Sequence, residues 1–202
     1  MDFGEKQRLL AELSEKILST LHDELRENAQ NLVFGRGNED ADIMFIGEAP
    51  GQKEDETGLP FVGSAGKRLQ ELLQYIELDI DDIYIANILK YRPPKNRNPT
   101  MKEIQEHTPF LLEQIQIISP KILVPLGNFA TKFVLAQFLD KDMTDIDGIS
   151  HIHGQTYVSE FEKKVITIIP QYHPAAMLYN PRLRSVIKED FEKMRLVLES
   201  NT

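Results

Sequence analysis

The chain has 202 residues, 41% of them hydrophobic, and a formal net charge of −9 at pH 7; that length holds one α/β domain with a sizeable core and does not require a second. It contains no cysteine, which excludes disulfides, thiolate catalysis, cysteine-ligated zinc and cysteine-bound iron–sulfur clusters. The acidic balance opposes indiscriminate binding to a polyanion, so a nucleic-acid site has to be a local basic patch.

No apolar run approaches the ~20 residues of a membrane span, and the first residues, MDFGEKQRLL, are too charged for a signal peptide. A cytoplasmic protein without a membrane partner is therefore expected. Leu9, Leu10, Leu13, Ile17, Leu21 and Leu25 recur at helical spacing and predict one amphipathic helix from about Glu5 to Asn28. GRGN at Gly35–Asn38 is too short a pattern for a phosphate loop and reads as a turn. Runs rich in β-branched and aliphatic residues at Asp42–Ile46, Ile83–Ile88, Lys121–Leu126 and Lys164–Ile169 predict strands. Helical patterns fall between them at Ser64–Ile76, Thr100–Ile118 and Asn128–Leu139, and another closes the chain from about Leu183 to Glu199. Thr100 followed by Glu103 has the form of a capping box. Asp140–Gly154 is polar and reads as a surface excursion, followed by a hairpin-like segment, Gln155–Ser159, running towards the last strand. Strands alternating with helices predict a three-layer αβα sandwich around a central, mostly parallel four-stranded sheet, as one domain over residues 1–202.

In such a sheet ligands bind beyond the carboxyl ends of the strands. The first strand runs into Gly47-Glu48-Ala49-Pro50-Gly51, the second into Asn87, and the last into Pro170-Gln171-Tyr172-His173-Pro174. Each has a plain explanation as a turn or a satisfied strand end, but together they fall on one edge of the sheet. Lys90, Arg92, Lys95, Arg97 and Lys102 follow Asn87 without an intervening acid, and Arg182, Arg184 and Lys188 form a second basic group. Charge alone does not separate either group from an ordinary solvated surface.

Taken in order, GEAPGQKEDETGLPFVGSAGKRLQELL, NILKYRPPKNRNPT, PKILVPLGNFA, YHPAAML and NPRLR resemble the family 4 uracil-DNA glycosylases over most of the chain from Val33 onward. GEAPG followed by GLPFVG is similar to this branch and not to the one whose first motif carries a catalytic Asp. The resemblance implies a DNA repair enzyme that flips uracil out of single- or double-stranded DNA as a monomer. It would hydrolyse the N-glycosidic bond and leave an abasic site, with no lyase step. It gives His173 the leaving uracil oxygen, Asn87 the reading of the base, and Phe61 the stacking platform. Backbone amides around Gly47, Glu48 and Ala49 would line the pocket. Glu48 and Glu54 are the candidate carboxylates, either of which could position the attacking water, and Glu54 matches the position that crowds uracil C5. Met177 or Leu178 would be the apolar wedge, while Lys90, Arg92, Arg97, Arg182 and Arg184 would hold phosphates.

These residue types suit the reaction independently. The bond breaks with positive charge on the sugar and negative charge on the base, so a site must stabilise both. An Asn amide offers one donor and one acceptor, which match uracil O4 and N3–H and mismatch cytosine. An aromatic face restores stacking to a base removed from the duplex.

The sequence departs from the family in one respect. Its members typically carry a four-cysteine iron–sulfur cluster, and the ligand positions fall here near Asp23 and Arg26, at Tyr91 and near His107. No cofactor is therefore expected, and Tyr91 packing, His107 hydrogen bonding and an Asp23–Arg26 contact are expected to tie down the same loops. His151 and His153 lie in a polar loop and read as surface residues. No inserted basic loop carries a His of the kind that crosslinks DNA in a related branch, which favours hydrolysis. Two other readings stay open: a catalytically silent DNA-binding relative, and a glycosylase for another deaminated base such as hypoxanthine or xanthine.

Overall fold

A computed structural model describes residues 2–200. Its strands are β1 (Arg36–Gly37), β2 (Ile43–Gly47), β3 (Ile83–Asn87), β4 (Ile122–Pro125), β5 (Tyr157–Phe161) and β6 (Lys164–Ile168), in the sheet order β1-β3-β2-β4-β6-β5. β2, β3 and β4 are buried at every residue, as expected for strands covered on both faces. The four expected strands form the parallel centre, β3-β2-β4-β6. Two antiparallel edges extend it: β1 on β3 and β5 on β6. β5 and β6 are joined by Glu162 and Lys163, both at positive φ (50° and 63°), which makes the connection a type I′ hairpin turn.

The helices are α1 (Phe3–Thr20), α2 (Glu24–Asn28), α3 (Gln52–Thr57), α4 (Ser64–Tyr75), α5 (Met101–Ile118), α6 (Gly127–Leu139), α7 (Ile149–Ile152), α8 (Ala176–Tyr179) and α9 (Leu183–Ser200). The single N-terminal helix expected to reach Asn28 is two helices. The chain leaves α1 at Leu21, and the Asp23 carboxylate starts α2 by accepting the Arg26 N–H at 2.9 Å. The apolar spacing runs through the break because Leu21 and Leu25 join the same core as Leu13 and Ile17. The predicted capping box opens α5, with Thr100 and Glu103 bonded reciprocally.

Alternation along the strands divides the core into two layers. Met44, Ile46, Tyr84, Ala86 and Leu123 pack with residues of α1, α5 and α6. Ile43, Phe45, Ile83, Ile85, Ile122 and Val124 pack on the opposite face with residues of α4 and α9. Phe45 stacks on Phe191 of α9 with ring centroids 6.1 Å apart; truncating such a buried ring to alanine costs about 3–5 kcal/mol.

This topology places the site. β2 lies between β3, reached through α4 on one face, and β4, reached through α5 on the other. A chain that departs to opposite faces from neighbouring strands leaves a crevice at their carboxyl ends. Gly47 pairs in register with Asn87 there, and Leu126 bridges to Gln171.

Candidate active site

A cavity of about 370 Å³ opens at this crevice, and its wall includes Glu48, Ala49, Glu54, Phe61, Asn87 and His173. The sequence motifs thus converge in space. Asn87 ends β3 with 2% of its surface exposed; the Lys90 ammonium donates to its backbone carbonyl, and no hydrogen bond among the described residues reaches its side-chain amide, which lines the cavity. Gly47 permits this arrangement. A Cβ at that position would lie 2.2 Å from Asn87 Oδ1 and 2.8 Å from the Phe61 ring, closer than atoms pack.

Phe61 is buried at the start of the turn into α4 and has φ 52°, a left-handed conformation that costs a non-glycine residue about 1 kcal/mol or more. The Arg36 guanidinium donates to its carbonyl at 3.0 Å, helping to hold the strained turn. Arg36 sits in the segment read from sequence as a turn, and nothing local in GRGN signals a link to a residue 25 positions away.

His173 follows β6, with its ring 5.9 Å from that of Phe61. Its Nδ1 accepts the Ala175 N–H at 3.3 Å, which leaves Nε2 as the protonated nitrogen of a neutral ring. Burial pushes its pKa below the usual value, and the Glu54 charge acts in the opposite direction. Gly127, at the start of α6, has φ 87°, and a Cβ there would meet His173 Cβ at 3.0 Å. Glycine suits that position for its backbone and for the approach of the histidine.

The two carboxylates are not equivalent. Glu54 Oε1 accepts the N–H groups of Val62 and Gly63 at 3.0 and 2.8 Å, so it caps the amino end of α4, where a negative charge is stabilised. Glu48 has no side-chain hydrogen bond among the described residues, and burial pushes its pKa up. Asp55 is buried and accepts the Gln30 N–H at 2.8 Å and the Asn31 N–H at 3.3 Å. It pins the segment after α2 against α3.

Two expected DNA contacts are corrected. Lys90 has no exposed surface; its side chain turns inward, to the Asn87 carbonyl at 2.9 Å and to Gln114, and cannot reach a phosphate. Met177 is 4% exposed and belongs to the core beneath α8, which leaves Leu178, 38% exposed, as the outward residue of that pair. Arg97 reaches the cavity rim but is paired with Glu103, whose pKa that pairing lowers to about 2. Arg92 donates to Asn96 at 2.8 Å. Arg182 and Arg184 are exposed at the start of α9.

Two polar networks brace the motifs from outside the cavity. His153, expected as a surface residue, contacts the buried Asp190 of α9 at 2.5 Å and packs on Tyr172 with ring centroids 4.7 Å apart. His107 is wholly buried: Nδ1 accepts the Lys90 N–H at 2.8 Å, and Nε2 lies 2.7 Å from Asp23 Oδ2. Burial works to raise the Asp23 pKa, but its bonds to His107 and Arg26 outweigh that and hold it below the ordinary value. Tyr91 meets the His107 ring edge-on. An iron–sulfur cluster does not fit here. Both His107 nitrogens are engaged, Arg26 is a cation without a lone pair to offer, and no thiolate exists to bind iron.

Residues 34–197 match the family model described as the uracil DNA glycosylase superfamily. The chain is 42% identical over 187 residues to a Type-4 uracil-DNA glycosylase of Sulfurisphaera tokodaii, covering 92% of this chain and 83% of the relative. It is 43% identical over 185 residues to one of Archaeoglobus fulgidus, covering 92% and 91% respectively. A third, of Thermotoga maritima, is 40% identical over 192 residues, covering 94% and 95%.

Proposed function

The chain belongs to the uracil-DNA glycosylase superfamily, and from that premise we infer that it excises uracil from DNA by hydrolysis in the cavity above β2 and β3. DNA is its substrate, and the product is an abasic site. The observation that carries the assignment of residues is the convergence of an unpartnered Asn87 amide, the Phe61 ring, the neutral His173 and the unpaired Glu48 on one cavity.

In this reading the uracil leaves its stack, enters the cavity and packs against Phe61, which offsets part of the unstacking cost of a few kcal/mol. Asn87 supplies the donor for O4 and the acceptor for N3–H. As C1′–N1 breaks, its electron pair moves onto the base. His173 Nε2–H then donates to the base oxygen that gains charge, a contact that strengthens only as the bond breaks and so lowers the barrier. Glu48 faces the sugar: as a carboxylate it stabilises the cationic C1′ and orients the water that adds there, whose proton it takes up. Glu54 is less suited to that task because its oxygen already accepts two N–H groups. It serves instead as a fixed wall beside C5, where a thymine methyl would collide.

Leu178 and the adjacent Tyr179, 38% and 85% exposed, fill the vacated base step, and Arg182 and Arg184 lie close behind them in sequence to take phosphates. In this reading the enzyme acts as a monomer on single- and double-stranded DNA. No cofactor enters this reading; the cysteine-free sequence and the closed Asp23–His107 bonding support that.

The test is incubation with oligonucleotides carrying one uracil, single- and double-stranded, followed by alkali. Strand scission at the uracil is expected from the unmodified protein. Its absence would remove the reading.

A further inference from the structure

Lys90 is a buried amine that the uracil-excision steps do not use. Its ammonium group is wholly enclosed, and no carboxylate pairs with it among the described residues; burial draws its pKa down to about 7. Removing an ammonium from water without a counter-charge is among the most costly burials in a protein. A methionine would fill the same space without that cost, so the amine is held for what it donates to. Its acceptors are the Asn87 carbonyl, at 2.9 Å, and Gln114 Oε1 of α5. Gln114 is itself fixed, donating to the Phe34 carbonyl at 2.9 Å. The Lys90 backbone is anchored separately, through its N–H to His107. The side chain therefore folds back across the chain's exit from the sheet and grips the strand end that carries the unpartnered amide.

We propose that Lys90 is a positioning residue for Asn87: its ammonium group, braced by Gln114, fixes the end of β3 and so holds the base-reading amide in the cavity. The proposal deepens the uracil-excision reading and rests on it. It also accounts for a cation in the basic stretch that never reaches solvent.

The test is a mutant cycle. Lys90→Met and Lys90→Gln are each made in the unmodified protein and in Asn87→Ala, with kcat/KM on a uracil oligonucleotide and thermal unfolding measured for all. Displacing a reading group by a fraction of an ångström to 1 Å is expected to lower kcat/KM about 10- to 100-fold for Lys90→Met. Lys90→Gln, which keeps an N–H donor on a side chain one bond shorter, is expected to retain more activity. In the Asn87→Ala background both substitutions change kcat/KM by less than about twofold, because the group they position is gone. A loss of the same factor in both backgrounds makes Lys90 a general structural residue and overturns the proposal, as does full activity of Lys90→Met. Should Lys90→Met not fold, the same comparison with Lys90→Gln decides. An inactive unmodified protein overturns the uracil reading itself. An active protein indifferent to Asn87→Ala overturns the role of Asn87 and this proposal with it, while leaving uracil excision standing.

Discussion

Gly47→Ala isolates the geometry of the reading site with a single methyl group. The added Cβ would stand 2.2 Å from Asn87 Oδ1 and 2.8 Å from the Phe61 ring, whereas unstrained neighbours sit about 3.5 Å apart. The Asn87 oxygen has to retreat by about 1 Å, the Phe61 ring by somewhat less, or the β2 end has to bend. Overpacking of this kind costs about 1–3 kcal/mol of stability, a fall in Tm of several °C for a domain of this size at about 2–4 °C per kcal/mol. A displacement of about 1 Å at a reacting geometry costs about 100-fold in rate. Gly47→Ala is thus expected to remain folded at 25 °C while kcat/KM for uracil falls about 100-fold. Single-turnover excision alongside thermal unfolding separates the two effects. A folded variant with kcat/KM within threefold of the parent would refute the placement of Asn87 and Phe61 at the base.

Three further outcomes follow from the same structure. In the proposed reaction Glu48 works as a carboxylate, and burial raises its pKa, so kcat/KM should rise with pH through a limb above the usual carboxylate range; Glu48→Gln should abolish that limb, and a limb that persists would reassign it. His107→Leu leaves the Asp23 carboxylate and the Lys90 N–H without their partner, at about 3 kcal/mol and so about 10 °C in Tm; an unchanged Tm would show that this network does not hold the loops. Leu178→Gly with Tyr179→Ser should reduce excision from duplex DNA about tenfold or more while sparing single strands, since only the duplex has to be opened by a few kcal/mol; equal losses on both substrates would deny these residues the wedge.

The centre of the sheet was legible in the sequence because β2, β3 and β4 are almost wholly apolar and buried throughout, as a doubly covered sheet requires; the edge strand β1, in a segment read as a turn, was not. The capping box at Thr100 and Glu103 was legible because its signal is local. The division of the first helix was not: Asp23, which starts the second helix, is held by His107, 84 residues away, while the apolar spacing continues undisturbed. The β5–β6 turn carries Glu162 and Lys163 at positive φ where glycine or asparagine would have announced it. At the site, residue types and motif order brought Glu48, Phe61, Asn87 and His173 together, as the fold does. What sequence cannot carry is direction. Lys90 stands in a basic run that reads as surface, and only the packing of α5 against β3 shows it turned inward. Met177 and Leu178 are neighbours of equal apolarity, and the seating of α8 on the core decides which faces out. Arg36 gave no signal, because its acceptor is a backbone carbonyl.

The most direct test compares single-turnover release of free uracil by the unmodified protein with that of Glu48→Gln, Asn87→Ala, His173→Ala and Glu54→Gln, on a uracil oligonucleotide and its cytosine counterpart. Release of uracil from the first substrate only is predicted, with losses of about 100-fold or more for His173→Ala and Glu48→Gln. Asn87→Ala should narrow the gap between uracil and cytosine, and Glu54→Gln should retain most of the rate. No free uracil from the unmodified protein, or an undiminished rate in His173→Ala, would contradict the account.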